Sequence, residues 1–538
     1  MIQSLITRIN PAQLLIKWWS WALLILAAIF AVYGFVLNGP FIWDDEVMVV
    51  TNTLIRSLGN IGQIFTTSAF GEPFHPSLFY RPMQILSFAV DYQFWGLNPL
   101  GYRLTSVIFH WGNAVLVLLI FRRFFSPILA GMLAVIFAVH PIAIECVTYI
   151  SGRGDVMSTG LALGSILLVL HYTGDTRLRW LMGAVGCYLI ALVTKENIVF
   201  VPFIWLACDY LFSAERSRIS RWMIWGSVAV SILFSAFRYL GSLDSKSRTL
   251  SFIAEASFFD RVLTFPRIIL TYLKLSFWPV PLHMEYHFVT TSIWNLSLWI
   301  GMPILVIGVW FWLKKSVLRT ILFWFILIAV VGILPVNNVV PALASTVREH
   351  WFYLSLVGVL GCVGVAITQV KEKFREVPAT SVMVYGFLFL GIAVLGGITF
   401  DRNLDWKDPI RFYQHDIACE PKGFVLYNNL GVELFRAGQV QDAGIVFQKA
   451  IETSPGHRYG IAYNNLGAVF LRSEDVQSAE ALFRASIALS DYPLAYRNLI
   501  AILYTQQRLD ELAVLVNQAV QHHPDQIDFA QMRDFLQK

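Results

Sequence analysis

The sequence predicts an all-α, polytopic membrane protein: a helix bundle of about eleven spans, followed by a C-terminal α-solenoid. Three observations predict it. The 538-residue chain is 57% hydrophobic and only 14% charged, with a mean hydropathy of +0.61, which excludes a soluble globular domain of this size. Apolar stretches close to the roughly 20 residues needed to cross hydrocarbon recur as far as position 399. From Lys422 onward the character changes and a period of about 34 residues takes over.

The apolar stretches are 18–37, 104–121, 128–144, 156–172, 180–193, 198–213, 222–239, 298–313, 320–335, 351–370 and 379–399. The fifth and sixth are short and read as a closely joined hairpin. Charge orients the bundle. Arg8, Lys17, Arg122-Arg123, Arg177, Arg179, Arg216, Arg218, Arg221, Lys314-Lys315, Arg319, Lys371, Lys373 and Arg375 fall in alternate short loops, the cytoplasmic set under the positive-inside rule. The opposite loops carry Asp44, Asp45, Glu46, Asp91, Glu145, Asp155, Glu196 and Glu349. The N-terminus is therefore expected inside, and an odd number of spans puts the solenoid outside. The first span lacks a small-residue cleavage site and reads as an uncleaved anchor. The basic loops account for the net charge of +5, which leaves nucleic-acid binding without support. The five cysteines show no paired spacing and no metal motif.

Two outer loops, 38–103 and 240–297, are unusually large for a membrane domain read as 1–400. The first contains Phe41-Ile42-Trp43-Asp44-Asp45-Glu46 just after the first span. Mutual repulsion and desolvation raise at least one carboxyl pKa in such a run, as a proton acceptor needs. The plain alternative is a solvated acidic loop. Arg56, Tyr80-Arg81-Pro82 and Asp91 share this loop. In the second loop, Arg261 to Trp278 reads as a helix lying in the interface or re-entering the membrane. Arg267, Thr271 and Lys274 fall on one of its faces. They either snorkel to lipid headgroups or grip the phosphate of a lipid-linked substrate.

Within 401–538, Leu430-Gly431, Gly438, Ala443, Phe447, Ala450 and Pro455 follow the tetratricopeptide pattern. Tyr463, Leu466-Gly467, Phe470, Ala479, Phe483 and Ala485-Ser486 repeat it, and Leu499, Leu503, Leu512, Ala519 and Pro524 form a degenerate third copy. The repeats are placed near 424–457, 460–492 and 493–526, with Trp406 to Pro421 as an extra half-repeat. Such stacks present a groove to a peptide, or else stabilise and oligomerise.

The order of motifs resembles a family. An acidic pair after the first span is followed by Tyr80-Arg81-Pro82, Asp91-Tyr92, Trp95-Gly96-Leu97-Asn98-Pro99, Tyr102, His110 and Asn113. Then come His140-Pro141, Glu145, Ser151-Gly152-Arg153, Asp155, Lys195-Glu196, Arg348-Glu349 and Phe352-Tyr353-Leu354, with the repeats after them. The chain resembles the transmembrane-and-tetratricopeptide O-mannosyltransferases, in a bacterial-type version with few repeats. Arg348-Glu349 departs from the family's usual Glu-Arg order. The resemblance implies a membrane-embedded glycosyltransferase of the C type (GT-C) in a bacterial inner membrane, its repeats on the periplasmic side. The implied partners are a polyprenyl-phosphate-linked sugar as co-substrate, an acceptor protein or peptide met through the repeats, and the bilayer. Metal independence is implied, although neighbouring carboxylates are able to hold a divalent ion.

The residues agree with that chemistry. Attack on an anomeric carbon needs a carboxylate for the acceptor's proton, the part expected of Asp44 or Asp45. It also needs positive groups at the leaving lipid phosphate, for which Arg267, Lys274, Arg153 and Arg348 are the candidates. Glu46, Arg56, Tyr80, Arg81, Asp91, His140, Glu145, Lys195 and Glu196 are expected to line or support the cavity. The plain reading of His140 is a capped helix end, and that of Lys195-Glu196 is an ion pair across a tight hairpin. Three other functions stay open: an oligosaccharide ligase or polymerase, a non-catalytic scaffold that recruits proteins through its repeats, and a flippase. A flippase would place its charges at the membrane centre rather than at one face.

Overall fold

The computed structural model describes residues 11–69, 79–175, 177–213, 218–244, 250–295, 299–301, 303–304, 307–308, 317–340, 342–377, 379–524 and 526–537. Among these residues there is no β-strand. The longer helices are α1 (Pro11–Tyr33), α2 (Pro82–Trp95), α3 (Pro99–Phe121), α4 (Pro127–Val139), α5 (Arg153–Tyr172), α6 (Leu178–Leu192), α7 (Val201–Phe212), α8 (Arg218–Asp244), α9 (Phe258–Phe277), α10 (Val317–Ile333), α11 (Tyr353–Lys373) and α12 (Ala379–Asp405). They are followed by α13 (Pro409–Cys419), α14 (Phe424–Arg436), α15 (Val440–Thr453), α16 (Gly460–Arg472), α17 (Val476–Ser490), α18 (Pro493–Thr505), α19 (Leu509–His522) and α20 (Ile527–Leu536).

The chain is a multi-pass membrane protein, and among the described residues fewer than eleven helices are long enough to cross a membrane alone. Among the described residues seven helices are long and apolar enough to cross: Trp18–Val36, Pro99–Phe121, Ile150–Tyr172, Ser220–Phe237, Val317–Val336, Glu349–Lys373 and Ala379–Asp405. Pro127–Val139 and Pro141–Val147 form a bent apolar pair, at 50° to each other about His140, which is a broken span or a re-entrant loop. The expected spans 180–193 and 198–213 are α6 and α7, of 15 and 12 residues. At 1.5 Å per residue each covers roughly 20 Å, short of a hydrocarbon core of about 30 Å. The stretch 298–313 lies largely outside the described residues, as do Arg8, Arg216 and Lys314-Lys315. The helix α9 carries Asp260, Arg261, Arg267 and Lys274 and is not among the candidate spans. It buries Leu263, Ile268, Tyr272 and Leu275 while Phe258, Phe259 and Trp278 stay exposed, which suits a helix at an interface.

Close helix crossings hold the bundle. At Gly358 a Cβ would lie 2.4 Å from the backbone nitrogen of Ala329, so only glycine lets α10 and α11 approach this far. Buried polar pairs tie other crossings. Thr148 Oγ1 donates to Asn403 Oδ1 at 2.7 Å, Asn403 Nδ2 donates to the Val32 carbonyl at 2.9 Å, and Asn113 Nδ2 donates to the Val156 carbonyl at 2.8 Å.

The chain divides into two units: Met1–Arg248 with Ala256–Met284 and Phe288–Asp408, and Thr249–Glu255 with Glu285–His287 and Pro409–Lys538. In the second, α14/α15, α16/α17 and α18/α19 are helix pairs at the period read in the sequence. Ala443, Phe447, Ala479, Phe483, Leu512 and Ala519 are buried, the small residues admitting the rings opposite. An asparagine ladder, which the sequence reading missed, links successive pairs. Asn465 Nδ2 donates to Asn428 Oδ1, and Asn498 Nδ2 to Asn464 Oδ1, both at 2.9 Å.

Candidate functional site

The acidic run begins under strain. Trp43 has φ of 60°, a left-handed conformation that bulky residues rarely take. It turns the next two carboxylates into different surroundings. Asp45 is fully buried. Its Oδ1 accepts from the Ser151 backbone N–H at 2.8 Å and the Ser151 hydroxyl at 2.7 Å, and its Oδ2 from the Ile42 N–H at 3.2 Å. Burial pushes its pKa up to about 6, against the pull of the Ser151 hydrogen bonds and the Arg103 guanidinium. Asp44 is only half-buried. Its backbone N–H donates to the Tyr149 hydroxyl at 3.3 Å, and that hydroxyl also bonds its side chain. Burial first, and then the carboxylates of Asp44 and Asp45, hold the Tyr149 phenol well above its ordinary pKa and keep it a donor.

The turn behind the run is built for this. Ser151-Gly152-Arg153 holds three partners in succession. Ser151 fixes Asp45. At Gly152 a Cβ would lie 1.9 Å from the Glu145 carbonyl oxygen, so the chain can pass there only as glycine. Arg153 turns inward. Its Nη2 meets Asp91 Oδ2 at 2.6 Å and the Tyr102 carbonyl at 2.6 Å, while Nε and Nη1 donate to the hydroxyls of Ser106 and Ser87. Arg103 is buried likewise. It donates to the carbonyls of Gly39, Pro40 and Thr148 and so clamps the chain leaving the first span.

Around Asp44 stand charged groups from distant parts of the chain. Arg81 Nη2 pairs with Glu196 Oε1 at 2.9 Å, and Arg81 also feels the charge of Asp44. The Arg348 guanidinium lies over the Trp43 ring, 5.6 Å from its centre. Lys195 Nζ lies 2.5 Å from Asp155 Oδ2. Glu145 Oε2 meets His350 Nδ1 at 2.6 Å and accepts from the His350 N–H at 3.1 Å. The helix α9 connects to this group in two steps. The Tyr272 hydroxyl donates to the Arg348 carbonyl at 3.1 Å, and the Tyr272 ring stacks on Phe352 at 4.7 Å. On the same helix Arg267 is half-buried over the Phe288 ring, and Lys274 is exposed.

The candidates therefore separate. Asp44, Arg81, Lys195, Glu196 and Arg348 come together. Arg153 does not join them: it is fully buried, and a guanidinium engaged by Asp91 and three oxygens is not presented to a lipid phosphate. His140 is also sealed, its Nε2 on the Ser276 carbonyl at 3.1 Å and its Nδ1 accepting from the Ile142 N–H at 3.3 Å. It caps a helix end rather than lining a cavity. Lys195 and Glu196 do not pair with each other, because extended backbone at Lys195 sends the neighbouring side chains to separate partners. Arg56 donates to the Val49 and Val50 carbonyls and lies over Tyr92, bracing the turn Glu46–Val50 that Glu46 opens. Tyr80 donates to the Phe65 carbonyl at 3.0 Å. Tyr149, Ser151 as an anchor, Trp43 and His350 were missed by sequence reasoning. Of these, Ser151 and Trp43 carried a signal, through the motifs around them. Among the described residues no three His, Cys, Asp or Glu side chains are grouped to hold a metal.

The second unit has a groove of about 550 Å³, lined by Tyr427, Ile445, Leu466, Val469 and Phe470 and rimmed by Gln448, Lys449 and Glu452.

No family model matches the chain. A protein O-mannosyl-transferase of Caenorhabditis elegans is 26% identical over 78% of this chain and 61% of its own length. The protein O-mannosyl-transferase Tmtc1 of Drosophila melanogaster is 24% identical over 80% of this chain and 61% of its own. The chain thus spans about three-fifths of the length of these curated relatives. The crystal structure of apo ArnT from Cupriavidus metallidurans aligns over 93% of this chain and 80% of its own, with 13% identity and a TM-score of 0.36. Over most of its length the chain is similar to the transmembrane-and-tetratricopeptide protein O-mannosyl-transferases, the family its motifs resemble.

Proposed function

We propose that the protein is a membrane glycosyltransferase that moves a sugar from a polyprenyl-phosphate-linked donor to a protein hydroxyl. The observation that carries the reading is the contrast within the acidic pair. Asp45 is locked in the interior, and Asp44 is held half-open beside Arg81 and Arg348. In this reading the acceptor oxygen attacks the anomeric carbon and the bond from that carbon to the phosphate oxygen breaks. The acceptor's proton passes to Asp44. The polyprenyl phosphate leaves with its charge met by Arg348 and by Arg267 and Lys274 of α9. Tyr149 orients the Asp44 carboxylate, and Asp45 fixes the loop that carries it.

The relatives' names support protein as the acceptor and mannose as the first sugar to test. The repeats, with their groove, are the proposed site of acceptor recruitment. The active face and the repeats are placed on the non-cytoplasmic side of a bacterial inner membrane, as the loop charges suggest. Intact-mass glycoproteomics of envelope and secreted proteins, with and without this protein, tests the function. Hexose-sized additions should appear only with the active protein. Identical glycoform patterns in both would leave a scaffold as the better reading.

A further inference from the structure

We propose that Arg81 and Glu196 form the donor's sugar subsite, the guanidinium and the carboxylate together holding hydroxyls of the transferred hexose. This rests on the reading in which Asp44 takes the acceptor's proton. The observation is a turn that locks two residues and presents the one between them. Lys195 and Asn197, on either side of Glu196, are held by the same buried carboxylate. Lys195 Nζ lies 2.5 Å from Asp155 Oδ2, and Asn197 Nδ2 donates to Asp155 Oδ1 at 3.0 Å. The Ser158 hydroxyl donates to Asn197 Oδ1 at 3.1 Å and fixes that amide. The turn Glu196–Ile198 is thus pinned on both sides of Glu196. Glu196 itself goes to Arg81, whose Nη2 and Nε donate to its two carboxylate oxygens at 2.9 and 3.4 Å.

The chemistry of this corner suits a neutral polyhydroxy group and not an anion. Arg81 is already matched by Glu196, and Lys195 by Asp155. Arg81 also feels the carboxylates of Asp155 and Asp44. A phosphate brought here would meet carboxylates at every cation, so Arg81 does not extend the phosphate site assigned to Arg348. A hydroxyl both donates and accepts. A fixed carboxylate beside a fixed guanidinium therefore offers two neighbouring hydroxyls an acceptor and a donor at once, in charge-assisted bonds. Both side chains keep accessible surface, which such a contact needs. The Arg81 guanidinium lies over the Phe79 ring, 4.6 Å from its centre, and that ring is exposed. It supplies apolar surface beside the polar pair, the usual make-up of a small-molecule site. The charge of Asp44 felt at Arg81 sets the subsite next to the proposed base, where the anomeric carbon must lie.

The test uses full-length protein in lipid nanodiscs and two probes, undecaprenyl-phosphate mannose and undecaprenyl phosphate without sugar. Glu196→Gln should lower affinity for the mannosyl probe about tenfold, the loss expected for a charged hydrogen bond. Affinity for the bare lipid phosphate should not fall, and the thermal unfolding midpoint should stay near wild type. Arg81→Lys, which keeps the charge and loses the fork, should show the same selective loss to a smaller extent. Equal losses for both probes, or no loss for either, would overturn the subsite. Failure of the wild-type protein to bind either lipid would overturn the donor reading instead. Saturation-transfer NMR with methyl mannoside would then decide the subsite separately: transfer to the sugar in wild type that is lost in Glu196→Gln supports it, and equal or absent transfer in both overturns it.

Discussion

The charges of the membrane unit fall into two groups that the sequence makes look alike. Arg153, Asp91 and Arg103 are buried, and each is hydrogen-bonded to its neighbours inside the unit. Arg81 and Glu196 keep 13% and 31% of their side-chain surface, and Asp44 and Arg348 are also half-open. Burying a charge is tolerable only with its partners fixed, and such a group can no longer meet a substrate. In the proposed reading the first group is architectural and the second is left for chemistry. The division runs between Asp44 and Asp45 themselves.

Substitutions in the two groups should fail in different ways. Asp44→Asn keeps the side chain's shape and removes the proton acceptor. Transfer should drop about 10²–10⁴-fold, with thermal stability and donor binding close to wild type. A matching loss of stability would move Asp44 into the architectural group. Arg153→Ala should behave in the opposite way. It strands the Asp91 carboxylate in the interior at a cost of about 3–5 kcal/mol. The yield of folded protein should collapse, and whatever folds should transfer at a rate near wild type. A stable, inactive Arg153→Ala protein would return Arg153 to the phosphate site.

A smaller effect concerns pH. The pKa of Asp45 rises from 3.8 to about 6 on folding, so in that window the folded state binds more protons than the unfolded one. This contribution makes stability fall as pH rises from about 4 to about 6. Asp45→Asn should remove that slope from thermal unfolding midpoints. A slope that persists unchanged would mean that the buried carboxylate is not its source.

The fold was legible because it is written in bulk properties. Apolar runs are local signals, and among the described residues most of them coincide with helices. The span count was less legible, since hydropathy registers apolarity and not breaks. The runs at 180–193 and 198–213 are apolar, yet the turn at Glu196–Ile198 leaves two helices too short to cross alone. At His140-Pro141 an apolar run breaks into two helices at 50° to each other. In the site, the acidic run stood out because three adjacent carboxylates are unusual next to a span. Its partners were hidden. Ser151 meets Asp45 across 106 positions, and Arg81 meets Glu196 across 115. No periodicity in one sequence specifies such pairings. For the same reason Lys195 and Glu196, adjacent in the chain, read as partners and are not.

The central claim is that Asp44, and not Asp45, offers its carboxylate to the acceptor. Chemical rescue tests it most directly. Purified Asp44→Ala and Asp45→Ala proteins are each assayed for transfer from polyprenyl-phosphate mannose, with and without added formate. Formate should restore a substantial part of the rate in Asp44→Ala, because the space left by the half-open side chain admits a small carboxylate in its place. It should do nothing for Asp45→Ala, whose site is sealed by Ser151 and Ile42. Rescue of Asp45→Ala alone, or full transfer by Asp44→Ala without formate, would contradict the assignment.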